Sequence, residues 1–277
     1  MREKRKFVIL TFLFCFFFVA LSVCLHRRAS AEEMTLQKIL RERKFNIGYV
    51  VLPPTVIKDP KTGALSGHFM ESANFICSEM KVEPVYQETQ FATFIAGLQT
   101  KKFDMCILPA MGLITRAMAI DFTHPLFYNG DRFSQRKGEK RFKSIGDINK
   151  KGVNIAVLQG GSTYDWSKTY LPNASLVVVP GGDLVGVFVQ LSMGHVDLPF
   201  GNAVTAKTYE KTHPELEPAL RGKIMNMAGC SWTVRRGEQD LLNFLNVAID
   251  YIKTTGRLET WEKQYGAEWF HEKIEIE

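Results

Sequence analysis

Apolar and polar positions change period along this chain, and each period names an element. Phe45 to Val51 reads as a first strand, closed by Pro53-Pro54. Before it, Glu32 to Lys44 is charged, with a weak helical tendency. Lys58 to Gly67 reads K-D-P-K-T-G-A-L-S-G, the composition of a hairpin tip. Phe69, Ala73, Ile76 and Met80 then fall on one face of a helix. Val82 to Tyr86 is the next strand. Phe91, Phe94, Ile95 and Leu98 line a second helix, which Lys101-Lys102 ends with charges suited to a helix carboxyl end. Met105 to Leu108 is a short, wholly apolar strand. Strand, helix, strand, helix, strand implies a parallel sheet covered by helices.

The pattern then restarts. After Tyr128 the chain passes Asn129-Gly130-Asp131 and a basic stretch to Lys143, where we place a crossing into a second unit. Val153 to Leu158 is a strand, and Gly160-Gly161-Ser162-Thr163 opens a helix. Leu176 to Val179 is a strand; Leu184, Val187, Phe188 and Leu191 line a helix; Asp197 to Phe200 is a short strand. Near Lys223 to Met227 the chain crosses back. Leu241, Leu242, Leu245, Ala248, Ile249 and Ile252 form a strong amphipathic stripe, and a last helix carries Leu258, Trp261 and Tyr265. Two successive α/β units predict two lobes.

Chemistry enters where strands end, because ligands of open α/β sheets bind beyond the carboxyl ends of the strands. Pro109 and Gly112 break the strand that ends at Leu108. Arg116 sits just past that break, followed by a short helical turn ending in Asp121-Phe122-Thr123-His124-Pro125. A guanidinium so placed can grip a carboxylate with two parallel donors; the plainer alternative is a surface ion pair. Ser162 with Asp165 has the spacing of a capping box, and the glycines before it let backbone N–H groups approach an anion closely. The alternative there is a plain helix cap. Asn202, just beyond a strand end, either faces the cleft or is a turn residue.

Charge and cysteine content narrow the classes. The formal net charge is +6, but six of the 35 basic residues and one of the 29 acidic ones lie in residues 1–31. The remainder carries about one net positive charge, so nucleic-acid binding has no support from charge. Residues 1–31 have a basic start (Arg2, Lys4, Arg5, Lys6), an apolar run from Phe7 to Leu25, and an Ala29-Ser30-Ala31 cleavage site. This predicts a secretory signal peptide. The run is also long enough to span a bilayer, so an uncleaved anchor is the alternative. Cys77, Cys106 and Cys230 remain in the mature chain, widely spaced and expected as small buried hydrophobes. G-x-S-x-G, H-E-x-x-H and G-x-G-x-x-G are all absent, and the histidines are scattered. No catalytic residue, metal or cofactor is expected.

Several local patterns, in order, carry a resemblance: Pro53-Pro54 after the first strand, Gly63 to Gly67, Gly97 to Asp104, Arg116, Asp121 to Pro125, Gly161-Ser162-Thr163, Gly194 to Asp197 and Val234 to Gly237. From Phe45 to Phe270 the chain resembles the family 3 solute-binding proteins, the polar amino-acid receptors of bacterial ABC importers. The resemblance implies a two-lobed α/β fold of the type 2 periplasmic binding protein class, with mostly parallel sheets flanked by helices and two crossing strands as a hinge. It implies lobe 1 over 45–130 plus 224–277, lobe 2 over 131–223, and a signal peptide over 1–31. A monomer in the periplasm would deliver a carboxylate-bearing solute to the importer's membrane subunits.

The resemblance also implies a site. Arg116 would bind the solute's carboxylate, Ser162 and Thr163 would add donors, Phe91 would cover the solute, and Gly112 and Asn202 would complete the pocket. The family's amine-binding aspartate falls at Asn202, so this half of the pocket departs from the pattern. Leu113, Thr55 and Leu126 replace a threonine, an aromatic and a tyrosine usual in the family. Two alternatives stand beside the transport reading. One is an exported dehydratase of the cyclohexadienyl dehydratase type on the same fold. The other is a membrane-anchored sensor or docking module.

Overall fold

The computed structural model describes residues 33–180, 184–267, 269 and 271. The predicted leader lies outside the described residues. Helix α1 (Thr35–Glu42) leads into β1 (Lys44–Tyr49), and the hairpin β2 (Ile57–Lys58) and β3 (Leu65–Ser66) forms where the turn formers cluster. The Asp59 carboxylate accepts from the N–H groups of Lys61 and Thr62 at its tip. Then come α2 (His68–Met80), β4 (Glu83–Glu88), α3 (Phe94–Gln99), β5 (Met105–Met111), the single-turn α4 (Ile114–Ala117) and β6 (Ile120–Phe122). The long β7 (Phe127–Arg136) leads to α5 (Ile145–Ile148), β8 (Asn154–Leu158), α6 (Ser162–Tyr170), β9 (Ser175–Val179), α7 (Leu184–Ser192) and β10 (Leu198–Asn202). The chain ends through α8 (Ala203–Thr212), β11 (Leu216–Pro218), the long β12 (Met225–Arg235), α9 (Gln239–Thr254) and α10 (Arg257–Gln264).

The strands run in the order β4-β1-β5-β12-β7-β10-β8-β9. β1 pairs in parallel with β4 and β5, and β8 in parallel with β9 and β10. Between these two parallel sets lie β12 and β7, antiparallel to each other and to their outer neighbours. Two lobes therefore share two long crossing strands, as the repeated pattern predicts. Both lobes tie their strands with the same device. Asp104 and Asn46 exchange backbone and side-chain bonds (2.8 and 3.2 Å), and Asp197 and Asn154 do the same (both 2.9 Å). The aspartates of the Gly97–Asp104 and Gly194–Asp197 patterns are thus fasteners of the sheet, not ligand groups.

The first lobe buries Trp232 completely, edge-on to Phe69 at 5.6 Å, and α9 lays Leu241, Leu245, Ile249 and Ile252 on the same core. A second apolar cluster runs across both lobes, from Phe91, Phe94 and Leu108 to Leu158, Val187 and Phe188. Cys77, Cys106 and Cys230 are free and buried, and burial pushes the Cys77 thiol up to about 12.

Two local expectations are corrected, and two features appear that the pattern did not announce. Residues 120–122 form strand β6 on β12, where a helical turn is expected; Thr123 anchors it, accepting from the Trp232 N–H at 3.1 Å. Helix α8 is absent from the periodicity reading because it buries only Ala203, Ala206 and Tyr209, too faint a stripe. The capping box expected at Ser162 and Asp165 does not form, since Gly161 is the N-cap and no side chain caps the helix. A capping box does form at Ser144 and Asp147.

Candidate functional site

The site lies where β5, β8 and β10 end toward each other. Pro109 does not end the strand as expected: β5 runs on to Met111, and Gly112 and Leu113 then lead into α4, whose one turn points Arg116 inward; the residue is only 6% exposed. Its guanidinium donates to the Gly160 carbonyl in the other lobe at 2.9 Å and lies 3.8 Å from the Asp165 carboxylate. Burial draws its pKa down, opposed by Asp165 and Asp131, and it stays a cation at any physiological pH. It is not the surface ion-pair arginine of the plainer reading.

Around it a cavity of about 50 Å³ is lined by Phe91, Arg116, Asp131, Ser162, Thr163 and Asn202, among others. Five of the six residues predicted from sequence are thus brought together. Gly112 is not among the lining residues, and its N–H is taken by the Gly229 carbonyl at 3.1 Å. Leu52 and Leu184 line this cavity and also a groove of about 920 Å³ beside it, walled by Thr89, Thr205 and Tyr209.

Helix α6 starts at the cavity. Its first N–H groups, at Ser162 and Thr163, have no acceptor within the helix, which leaves donors and a positive dipole end for an anion. Gly160, at φ +69°, approaches the other lobe so closely that a Cβ there would sit 2.8 Å from the Ala92 Cα. The glycine is expected to make room for a ligand; in this structure it makes room for the opposing backbone.

Asn202 differs from expectation. Its side-chain oxygen accepts from the N–H groups of Val204 and Thr205, at 2.9 and 3.0 Å, and so caps α8. The oxygen that would have received an amine is committed to the helix. Asn202→Ala is expected to lower stability by about 1 kcal/mol through loss of this cap, read as a shift in the denaturant midpoint.

The residue missed by sequence reasoning is Asp131, which reads as part of an Asn-Gly-Asp turn but lies inside β7. It is 3% exposed. Its Oδ2 accepts from the Ser162 hydroxyl at 3.0 Å and from the Asn226 amide at 2.8 Å. Ser162 therefore spends its hydroxyl on a protein carboxylate. The signal available was an acidic residue placed at a strand crossing. Burial raises the Asp131 pKa from 3.8 to about 6, against the pull of Asn226, Ser162 and Arg116. The group holds its proton more tightly folded than unfolded, so its contribution is greatest below pH 4 and is lost as pH rises to 6. Asp131→Asn should therefore melt higher than the wild type at pH 7.5, with the gap closing at pH 4.5. The differential scan of the two proteins isolates this group from Glu262, which burial raises to about 8.

Residues 46–268 match the model of the bacterial extracellular solute-binding proteins, family 3, and the chain belongs to that family. It is 26% identical over 240 residues to an L-arginine-binding protein of Pseudomonas aeruginosa, covering 84% of this chain and 91% of that protein. It is 24% identical over 253 residues to the L-cystine-binding protein TcyJ of Escherichia coli, covering 90% and 93%. Among solved structures, a cysteine-binding protein from Campylobacter jejuni superposes with a TM-score of 0.75 at 17% identity, covering 88% of this chain and 97% of that one. The ancestral amino acid-binding protein AncCDT-1, a precursor of cyclohexadienyl dehydratase, superposes with a TM-score of 0.72 at 23% identity, covering 83% and 99%. These structures show the two-lobed fold. The chain is a solute-binding protein of the ABC-importer class and not an enzyme. Among the described residues no helix is long and apolar enough to cross a membrane, and no group of three or more His, Cys, Asp or Glu is placed to hold a metal.

Proposed function

We propose that the protein captures a small carboxylate-bearing solute, an amino acid or a related compound, with Arg116 as the main contact. The buried guanidinium carries this reading: it faces the interlobe cavity beside the open N–H groups of Ser162 and Thr163. Charge-assisted bonds of this kind are about twice as strong as neutral ones. Phe91 covers the solute, and Asn202 contributes at most its amide donors. The solute's body extends past Leu52 and Leu184 into the larger groove, whose size is that of ordinary ligand pockets.

The long strands β7 and β12 support a division into lobe 1 (45–130 plus 224–277) and lobe 2 (131–223) that closes on the solute. The protein acts in the periplasm as a monomer, after removal of residues 1–31, and docks on the membrane subunits of an importer. The relatives that bind arginine, cystine and cysteine set the first candidates. A thermal-shift screen of amino acids and simple carboxylates tests the reading, since a solute that binds only the folded form raises the melting temperature. A screen in which no carboxylate shifts the transition would refute it.

A further inference from the structure

We propose that Asp131, one strand across from the residue at 202, is the group that receives the solute's ammonium. This deepens the reading of Arg116 as the carboxylate contact and rests on it. The geometry begins with the sheet. β7 and β10 are antiparallel neighbours, and Asn202 stands directly opposite Asp131 in their register. Directly opposed residues have Cβ atoms about 4.5–5.5 Å apart. The carboxylate that the family resemblance places at 202 is therefore present one strand across.

The two positions have exchanged tasks. Asn202 uses its only acceptor oxygen to cap α8, so it has nothing left for an ammonium. Asp131 lines the cavity and is held in place through one oxygen alone, by Ser162 and Asn226. Its other oxygen, Oδ1, accepts from no described residue. Asn226 reaches it from a left-handed backbone conformation (φ +53°), at the point where the β12–β7 register shifts. A carboxylate buried without a direct cation is costly, and among the described residues no cationic side chain lies within 4 Å of it. Arg116 is near enough for each group to shift the other's proton affinity, yet its one close carboxylate is Asp165. One cavity thus presents a fixed cation and a separate, incompletely matched anion. That pair complements the carboxylate and ammonium that a single carbon joins in an α-amino acid, and a plain carboxylic acid would leave Asp131 unmatched.

The test uses calorimetric titration of the purified protein. The probes are the α-amino acid giving the largest thermal shift among the common twenty and L-cystine, and its α-deamino counterpart with the same side chain and carboxylate. The wild type should prefer the amino acid at least 100-fold, a comparison that needs no variant. Asp131→Asn, nearly isosteric, should lose about 10–100-fold for the amino acid and bind the deamino acid no more weakly than the wild type does. Equal wild-type affinity for the two probes would overturn the proposal. So would an undiminished preference in Asp131→Asn, or a protein that binds simple carboxylates and no α-amino acid. Arg116→Ala separates the two readings. If it loses both probes while Asp131→Asn keeps its preference, the carboxylate contact stands and the ammonium contact falls. If Arg116→Ala binds both as the wild type does, the reading beneath has failed.

Discussion

Arg116→Ala should bind its solute about 30- to several-thousand-fold more weakly than the wild type. The range follows from the 2–5 kcal/mol lost when one partner of a buried charged pair is removed, at about 1.4 kcal/mol per tenfold. Arg116 is almost wholly buried and turned into the cavity, so water replaces its contact poorly. Its bond within the protein is to the Gly160 carbonyl of the opposite lobe, outside either lobe's apolar core, so the variant should still fold. Arg116→Lys keeps the charge but not the planar fork, and should recover part of the loss. Titration calorimetry of the three proteins decides it: an alanine variant within threefold of the wild type removes Arg116 from the site.

Gly160→Ala should weaken binding by about tenfold or more, although no polar group is lost. At φ +69° an alanine carries about 1–2 kcal/mol of left-handed strain whatever the lobes do. The clash is different in kind, because it exists only when the lobes meet. The new methyl would sit within 2.9 Å of the Ala92 nitrogen and the Phe91 carbonyl oxygen, and backbone atoms do not rotate aside as a side chain can. Closure on the solute is therefore penalised selectively. The expected signature is a loss of affinity together with a larger radius of gyration in saturating solute. Unchanged affinity would mean that the solute-bound lobes stand farther apart than here.

Pattern succeeded where one side chain's polarity reports one face of one element. The helices of Phe69 to Met80 and Leu241 to Ile252 are amphipathic, the strand of Val153 to Leu158 is mostly apolar, and all three appear where expected. It failed where burial is small or shared. Helix α8 hides its contacts behind alanines, and β6 is a strand only because β12 lies beside it. The Arg116 reading needed only a guanidinium after a strand end, which is local information. The opposite assignment of Asn202 and Asp131 was out of reach, because whether an oxygen faces a helix end or a cavity depends on a neighbouring strand.

Local sequence thus carried the lobes' alternating architecture and put a cation just past a strand, since each is a matter of period, breakers and residue type along one stretch. Tertiary structure alone decided which acidic group stands in the cleft. Asp131 and Asn202 lie far apart along the chain and meet only through the register of β7 on β10. Burial there raises the proton affinity of the Asp131 carboxylate, while the start of α8 beside Asn202 takes up its side-chain oxygen.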